Sequence, residues 1–429
     1  MSSAIDSTAV PTRRTFLKSG AALAAGAAAS KLIFPSGVHA AGSGTLKVGL
    51  IGCGGRGTGA AANALKADTN VKLVAMGDAF PDRLQTSLEN LEKVAKEKVE
   101  VPQDKRFTGL DAYKQVIGSG VDVVLLATPP HFRPMHLKAA VDAGLHVFCE
   151  KPVGVDAPGI RSVMATVEEA KKKNLSIVSG LCWRYDHGVR ETMKRVLDGA
   201  IGEIVAIQEN YNTGGLWNHG RKPEWSDMEW QLRNWLYFTW LSGDFNTEQH
   251  VHSLDKGSWA MLETPPVKAT GLGGRQVRVE EQWGNVYDHF AVVYEYETGA
   301  KMFSFCRQQN GCANDTNDYF IGTKGRANIL KNTIEGETNW RFNGPKPSMY
   351  QVEHDDLFAS IRSGNAINNG HYMALSSMLA IMGRMASYTG KTITWKEAIN
   401  SQEDLTPASY DFGPLPVAPV AKPGVTQFA

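Results

Sequence analysis

Between Gly243 and Asp255 the chain reads Gly-Asp-Phe-Asn-Thr-Glu-Gln-His-Val-His-Ser-Leu-Asp, its densest run of polar, proton-handling side chains. A helix from about Asn246 would place Glu248 and His252 on one face at i, i+4, with Asn246 and His250 as a similar pair. A histidine near neutral pKa, oriented by a carboxylate, is a good acceptor for the proton of a hydroxyl that loses hydride. Two histidines are not a metal site, so none is assigned. A second signature lies earlier, at Gly52-Cys53-Gly54-Gly55-Arg56-Gly57, a G-x-G-x-x-G. Gly52 permits a tight turn, Gly54 lets backbone approach a pyrophosphate, and Gly57 lets helix and strand pack closely.

The elements around the glycines are those this chemistry requires. Leu46–Ile51 is a short apolar, β-branched run, and an Ala-rich helical stretch follows from Thr58 to Lys66. The helix N-terminus then faces phosphate charge. A second strand, Val71–Gly77, ends at Asp78, 21 residues beyond Gly57. An acid there accepts hydrogen bonds from ribose hydroxyls and repels a 2′-phosphate, which favours NAD over NADP. Strand and helix continue to alternate: Val121–Ala127, a helix from about Pro134 to Ala143, His146–Cys149, a helix over about Pro158–Lys173, then Ser176–Ser179. Open α/β sheets bind ligands at strand carboxyl ends, so Thr128-Pro129 and Glu150-Lys151-Pro152 should lie beside the cofactor. The expected nucleotide contacts are Gly52, Gly54, Gly55, Arg56, Gly57, Asp78, Thr128, Pro129, Glu150 and Lys151.

From about Leu181 the pattern becomes alternating, at Ile204–Tyr211, Phe290–Tyr296 and Lys301–Arg307, as in a sheet covered on one face. Between these strands lie Trp217, Trp225, Trp230, Trp235 and Trp240. Aromatic faces suit sugar C–H surfaces, but large aromatics also build cores, and for any single Trp the core reading leads. Arg184 and Tyr185 follow a strand end and, with His250, are candidates to line a substrate pocket. His131, Arg133 and His136 follow the strand ending at Ala127 and are given no catalytic part. His354-Asp355-Asp356 reads as the start of a helix, with an aspartate as cap. From Ser401 the chain is Pro-rich and reads as an extended arm over the body or a neighbouring subunit.

Composition narrows the class. The 429 residues carry 45 Lys+Arg against 44 Asp+Glu, with 42% hydrophobic residues. That is an ordinary globular mix, without the basic excess of a nucleic-acid binder. Near the start, Thr12-Arg13-Arg14-Thr15-Phe16-Leu17-Lys18 precedes an Ala/Gly-rich run and Val38-His39-Ala40. This resembles a twin-arginine export signal cleaved after Ala40. Removing residues 1–40 takes away Arg13, Arg14, Lys18, Lys31 and Asp6, leaving 41 basic and 43 acidic residues. No other segment is long and apolar enough to span a membrane. The expected divisions are a signal at 1–40, a doubly wound parallel-sheet domain at 45–180, a second α/β domain at 181–400 and an arm at 401–429. Five widely spread cysteines show no zinc spacing and read as buried free thiols, with a Cys306–Cys312 pair left open.

Gly52–Gly57, Asp78, Ala127-Thr128-Pro129 and above all Cys149-Glu150-Lys151-Pro152 resemble the glucose–fructose oxidoreductase, inositol dehydrogenase and MocA (Gfo/Idh/MocA) family. Val196–Ile204 and Tyr388–Lys391 with Trp395 extend the resemblance over nearly the whole mature chain. It implies an N-terminal Rossmann domain and a C-terminal α/β domain on an open, mostly antiparallel sheet that often pairs subunits as a homo-oligomer. It gives Lys151 a catalytic or substrate-positioning role. The family's Asp-x-x-x-His pattern falls on Glu248 and His252, with Glu replacing Asp. The function expected is an exported, periplasmic NAD-dependent oxidoreductase on a sugar, glycoside or cyclic polyol hydroxyl. Free NAD is scarce outside the cytoplasm, so the cofactor should stay bound. The alternative is an NAD-dependent glycosidase or lyase using transient oxidation, although the Tyr-containing loop of such relatives is not matched at Asn246–His250.

Overall fold

Six short strands alternate with helices in the first half of the chain: β1 (Leu46–Ile51), β2 (Val71–Asp78), β3 (Arg106–Thr108), β4 (Val123–Leu126), β5 (His146–Cys149) and β6 (Ile177–Ser179). The computed structural model describes residues 44–428, so the signal-like segment at 12–40 lies outside the described residues. The six strands form one parallel sheet in the order β3-β2-β1-β4-β5-β6. β4 is buried at every position, and β1 at all but Lys47, because helices cover both faces. β3 and the helix Pro81–Ala95 have no counterpart in the sequence reading. A three-residue strand with no buried position carries no periodic signal.

The second half holds β7 (Ile204–Thr213), β8 (Lys268–Gly274), β9 (His289–Glu295), β10 (Lys301–Gln308), β11 (Asp318–Gly322), β12 (Gly325–Asn328), β13 (Thr333–Gly336), β14 (Trp340–Arg341) and β15 (Ile393–Thr394). They form a nine-stranded sheet ordered β14-β13-β12-β11-β7-β10-β9-β8-β15. Every pairing is antiparallel except β7 with β10. Alternation is clean in β9 and β10, whose inward residues Phe290, Val292, Tyr294, Met302, Ser304 and Cys306 are buried. On the sheet, Leu272, Phe305 and Ile321 remain exposed.

Residues 214–241 form a Trp-rich excursion after β7. Met228, Trp230, Leu232, Tyr237 and Phe238 pack with Phe80 and Phe132 of the nucleotide domain into a separate apolar cluster. The described residues of the tail, 401–428, contain no helix or strand and lie along the body of their own chain. Leu405 N donates to Asp156, Gln231 to Leu415 O, and Tyr287 to Ala421 O, while Tyr410 meets His131 Nε2 at 2.8 Å.

His354-Asp355-Asp356 does not start a helix. It sits inside Met349–Ser363, with His354 buried and its Nδ1 2.9 Å from Tyr350 O. All five cysteines are free; four are buried and Cys312 is exposed, so Cys306 and Cys312 do not pair.

Candidate active site

The glycine loop closes one end of a cavity of about 450 Å³. Gly52 has φ +95°, and a Cβ there would meet Thr128 N at 2.6 Å. A Cβ on Gly57 would lie 1.8 Å from Gly52 O, so the helix Gly55–Ala67 can seat on the loop only with glycine there. Gly54 and Gly55 are different, since nothing lies within 4 Å of a Cβ on either. They leave space on the cavity side. The helix they open has no side-chain cap and no acidic residue in its first turn, so its N-terminal donors and dipole are uncompensated. Space, free N–H groups and positive potential together fit a dinucleotide pyrophosphate. Asp78 Oδ2 accepts from Cys53 N at 2.6 Å and Oδ1 from Phe80 N at 2.9 Å. Each oxygen keeps a lone pair for a ribose hydroxyl. Thr128 and Pro129 line the same cavity beside the loop.

Arg56 and Glu150 sit differently from the expectation. The Arg56 guanidinium, at the cavity edge, turns inward to pair with Glu150 and Glu353. Glu150 is buried behind the wall. Burial opposes its ionisation, but Arg56, Arg133 and Lys151 hold it below the usual carboxylate range. The pair therefore ties the phosphate loop to the segment carrying Lys151. That segment is pinned at successive residues: Arg133 donates to Pro152 O and Thr128 O, Val153 N donates to Ser377, and Arg384 donates to Val155 O. Lys151-Pro152 is a cis peptide.

Lys151 reaches across to the second domain, its Nζ 2.6 Å from Glu248 O and 3.0 Å from Glu248 Oε1. Both side chains line a second cavity of about 220 Å³ with Tyr211, Leu216, Trp217, Trp235, Leu236, Gln249 and His252. Trp217 and Trp235 line both cavities, so the nucleotide cleft and this pocket meet at those rings. The continuous helix expected over 246–255 is absent. Phe245–Glu248 and Val251–Ala260 are separate helices broken at Gln249-His250. Asp244 starts the first at φ 66°, ψ 162°, a region normally left to glycine. Its buried carboxylate compensates by accepting from Phe245 N, Tyr287 N and Tyr388.

His252 projects from the first turn of Val251–Ala260. Burial, then the charges of Lys151 and Lys256, hold its pKa well below the histidine norm, and its buried Nδ1 has no protein partner. It is a neutral imidazole beside an ammonium. The helix is fixed from behind. Lys256, itself buried, donates to His252 O at 2.6 Å and pairs with buried Asp318 at 3.1 Å. Glu209 lies next to Asp318 in register on β7, and burial followed by the Asp318 charge pushes its pKa well above the carboxylate norm.

Three expected substrate contacts do not reach the pocket. Arg184 is buried against Asp255 and Glu263 and sandwiched by Tyr372 and Trp259, so it anchors the His252 helix. Tyr185 donates to Asn369 at 2.7 Å within the core. His250 is fully buried, its Nε2 2.6 Å from Ser304 Oγ. Strand-end position points the first two toward a pocket, but their partners come from distant sequence. Conversely, Tyr211 and Gln249 are pocket residues with little signal in the sequence, and Trp217 and Trp235, for which the core reading led, line the pocket instead. Gln249 stands inside the polar run, where that position was its one signal and it has no charge to mark it. Trp230 does follow the core reading, at 1% exposure.

A parallel Rossmann sheet whose cleft opens beside a lysine–glutamate–histidine pocket on an open-sheet domain defines a two-domain dinucleotide-binding protein. Residues 46–178 match the Gfo/Idh/MocA oxidoreductase family, described as NAD-binding Rossmann fold, so this domain belongs to that family. The chain is 26% identical over 244 residues to 2,7-anhydro-N-acetylneuraminate hydratase of Escherichia coli, covering 56% of this chain and 58% of that protein. It is 24% identical over 257 residues to inositol 2-dehydrogenase of Rhizobium meliloti, covering 59% and 66%. These matches span less than two thirds of either relative's length. Among solved structures, levoglucosan dehydrogenase in complex with NADH and levoglucosan superposes with a TM-score of 0.65 at 17% identity, over 82% of this chain and 99% of that one. That likeness shows the shared fold.

Proposed function

We propose that the protein is an exported NAD-dependent oxidoreductase acting on a hydroxyl of a sugar, glycoside or cyclic polyol, with its dinucleotide held between turnovers. The observation that carries this reading is the meeting of the two cavities at Trp217 and Trp235, with Lys151 and His252 on the pocket side. Bound NAD would supply the hydride acceptor. Gly54, Gly55 and the helix they open would hold its pyrophosphate, and Asp78 its ribose. His252, kept neutral, accepts the hydroxyl proton at an imidazole nitrogen. The Lys151 ammonium, steered by Glu248, stabilises the developing alkoxide. The indole faces of Trp217 and Trp235 present apolar surface to sugar C–H groups and exclude water.

Retention of the dinucleotide is supported by the 214–241 excursion. Trp217, His219, Leu232, Arg233 and Trp235 wall the same cleft as Gly54 and Asp78. Arg233 clamps across to Asp82 at 3.1 Å and lies over the Phe80 ring at 4.0 Å. Phe412 of the tail also packs on Phe80. The exposed apolar positions on the second sheet suit a second copy of the chain, which supports a homo-oligomer.

The likeness to a hydratase favours a second reading. Transient oxidation of a sugar hydroxyl acidifies the neighbouring C–H, permits elimination, and is then reversed, leaving no net redox change. One experiment separates the two. Purified protein should carry NAD(H) through dialysis. Added sugars should then leave lasting reduced-nicotinamide absorbance under the first reading, or release an aglycone without it under the second. Absence of bound nucleotide and of any NAD affinity would overturn both. Replacing Arg13 and Arg14 by lysine should strand the protein in the cytoplasm; continued export would refute the signal.

A further inference from the structure

Gln249 enters the pocket from the break between Phe245–Glu248 and Val251–Ala260. Its Oε1 accepts from Gln308 Nε2 at 2.5 Å. Gln308, the last residue of β10 and 3% exposed, accepts at its own Oε1 from Arg278 Nη2. Arg278 is also buried, donates to Tyr287 O at 2.8 Å, and lies over the rings of Tyr237 and Phe245.

The direction of this chain of hydrogen bonds is not free. A guanidinium has donors and no acceptor, so Gln308 must meet it with oxygen. The Gln308 amide nitrogen then faces Gln249, which must answer with its own oxygen. With its oxygen turned toward Gln308, the Gln249 amide is left to offer the pocket its NH₂ group, which can only donate. A hydroxyl meets either end of an amide by turning its proton, so recognising a hydroxyl calls for no fixed polarity. An ether, carbonyl or carboxylate oxygen accepts only, and a fixed donor selects it. The neighbouring Lys151 is likewise a donor, and Glu248, the pocket's carboxylate, is already engaged with it.

We propose that Gln249 is a specificity-determining residue that donates to an acceptor-only oxygen of the substrate, of the kind a pyranose ring or a sugar carboxylate supplies. This rests on reading the pocket as a sugar or polyol site. The fixed donor thus favours a sugar ring or sugar acid over a carbocyclic polyol, which bears only hydroxyls, and over an amino sugar bound through its ammonium.

Gln308→Glu tests it, because it preserves size and reverses polarity. The new carboxylate keeps its bond from Arg278 but can only accept, so Gln249 turns its NH₂ toward that carboxylate and its oxygen toward the pocket. Dissociation constants of D-glucose, D-glucuronate and myo-inositol are measured on the dinucleotide-loaded protein through the fluorescence of the pocket tryptophans. The expected result is weakening by about tenfold or more for D-glucuronate, D-glucose or both, with myo-inositol, which bears only hydroxyls, changed less than about threefold. Loss for both sugars points to the ring oxygen, and loss for D-glucuronate alone to the carboxylate. Gln249→Met, which keeps the length and lacks the donor, should weaken the same ligands if Gln308→Glu misfolds. Equal weakening of all three ligands, or of none, overturns the proposal while leaving the sugar-site reading intact. A wild-type pocket that binds none of the three overturns both.

Discussion

The two cavities are made in opposite ways. The nucleotide cleft is shaped by what its residues lack: Gly54 and Gly55 leave open space, and Gly57 leaves room for backbone against backbone. Its binding groups are N–H donors at a helix end, supplied within six consecutive residues. The substrate pocket is shaped by side chains: Lys151 after β5, Tyr211 on β7, Trp217 and Trp235 from the excursion, and Glu248, Gln249 and His252 at a helix break. Lys151 and Gln249 are held by partners far away in sequence. A site of absences tolerates little substitution at the glycines yet needs little support. A site of charged side chains needs a buried scaffold behind its functional atoms, here Arg133, Lys256, Asp318 and Arg278.

The largest effect should strike both regions together and so sets the baseline. His136, His250 and His354, from the nucleotide side, the pocket side and the helix behind β5, are each held down to about 3 by burial. Unfolded histidine titrates near 6.5, so the unfolded chain takes up protons the folded chain refuses. Stability should be complete above about pH 6.5 and fall by about 1 kcal/mol per histidine for each pH unit below it. Calorimetric melts from neutral pH down to pH 5 check this, and a flat melting profile would contradict it.

Next in size, Lys151→Met should separate the regions by lowering turnover about 10³-fold or more while the protein still co-purifies with dinucleotide. Nucleotide loss in that variant would show that the two cavities are one unit. Gly57→Ala should do the reverse. Its methyl group would overlap Gly52 O, at a cost of about 3 kcal/mol in stability together with loss of the nucleotide. The smallest effect is the control two residues on. A Cβ on Gly59 meets nothing closer than Arg56 Nη1 at 3.8 Å, so Gly59→Ala should stabilise the same helix by about 0.5–1 kcal/mol in denaturant titrations.

Legibility in the sequence followed the same division. The glycine loop, Asp78 and the strands β1, β2, β4 and β5 can be read directly, because each is set by neighbours a few residues away. Glu248, His252 and Lys151 stand out as candidates, yet the helix expected to pair the first two is broken, and a strained Asp244 and the Gln249-His250 break position them instead. Arg184, Tyr185 and His250 fail as pocket residues for one reason. A polar side chain in sequence looks the same whether it meets a ligand or a buried partner, and Asp255, Asn369 and Ser304 are 71, 184 and 54 residues away.

The sequence by itself therefore determined the doubly wound domain, a second sheet covered on one face and the nucleotide loop. Period, glycine placement and strand-end position are local properties of the chain. Only the tertiary structure decided which polar residues face the pocket, that Arg56 serves Glu150 and Glu353, and that the Trp excursion and tail lie against the cleft. Those depend on which distant group desolvates or neutralises each side chain, and no local pattern encodes that choice.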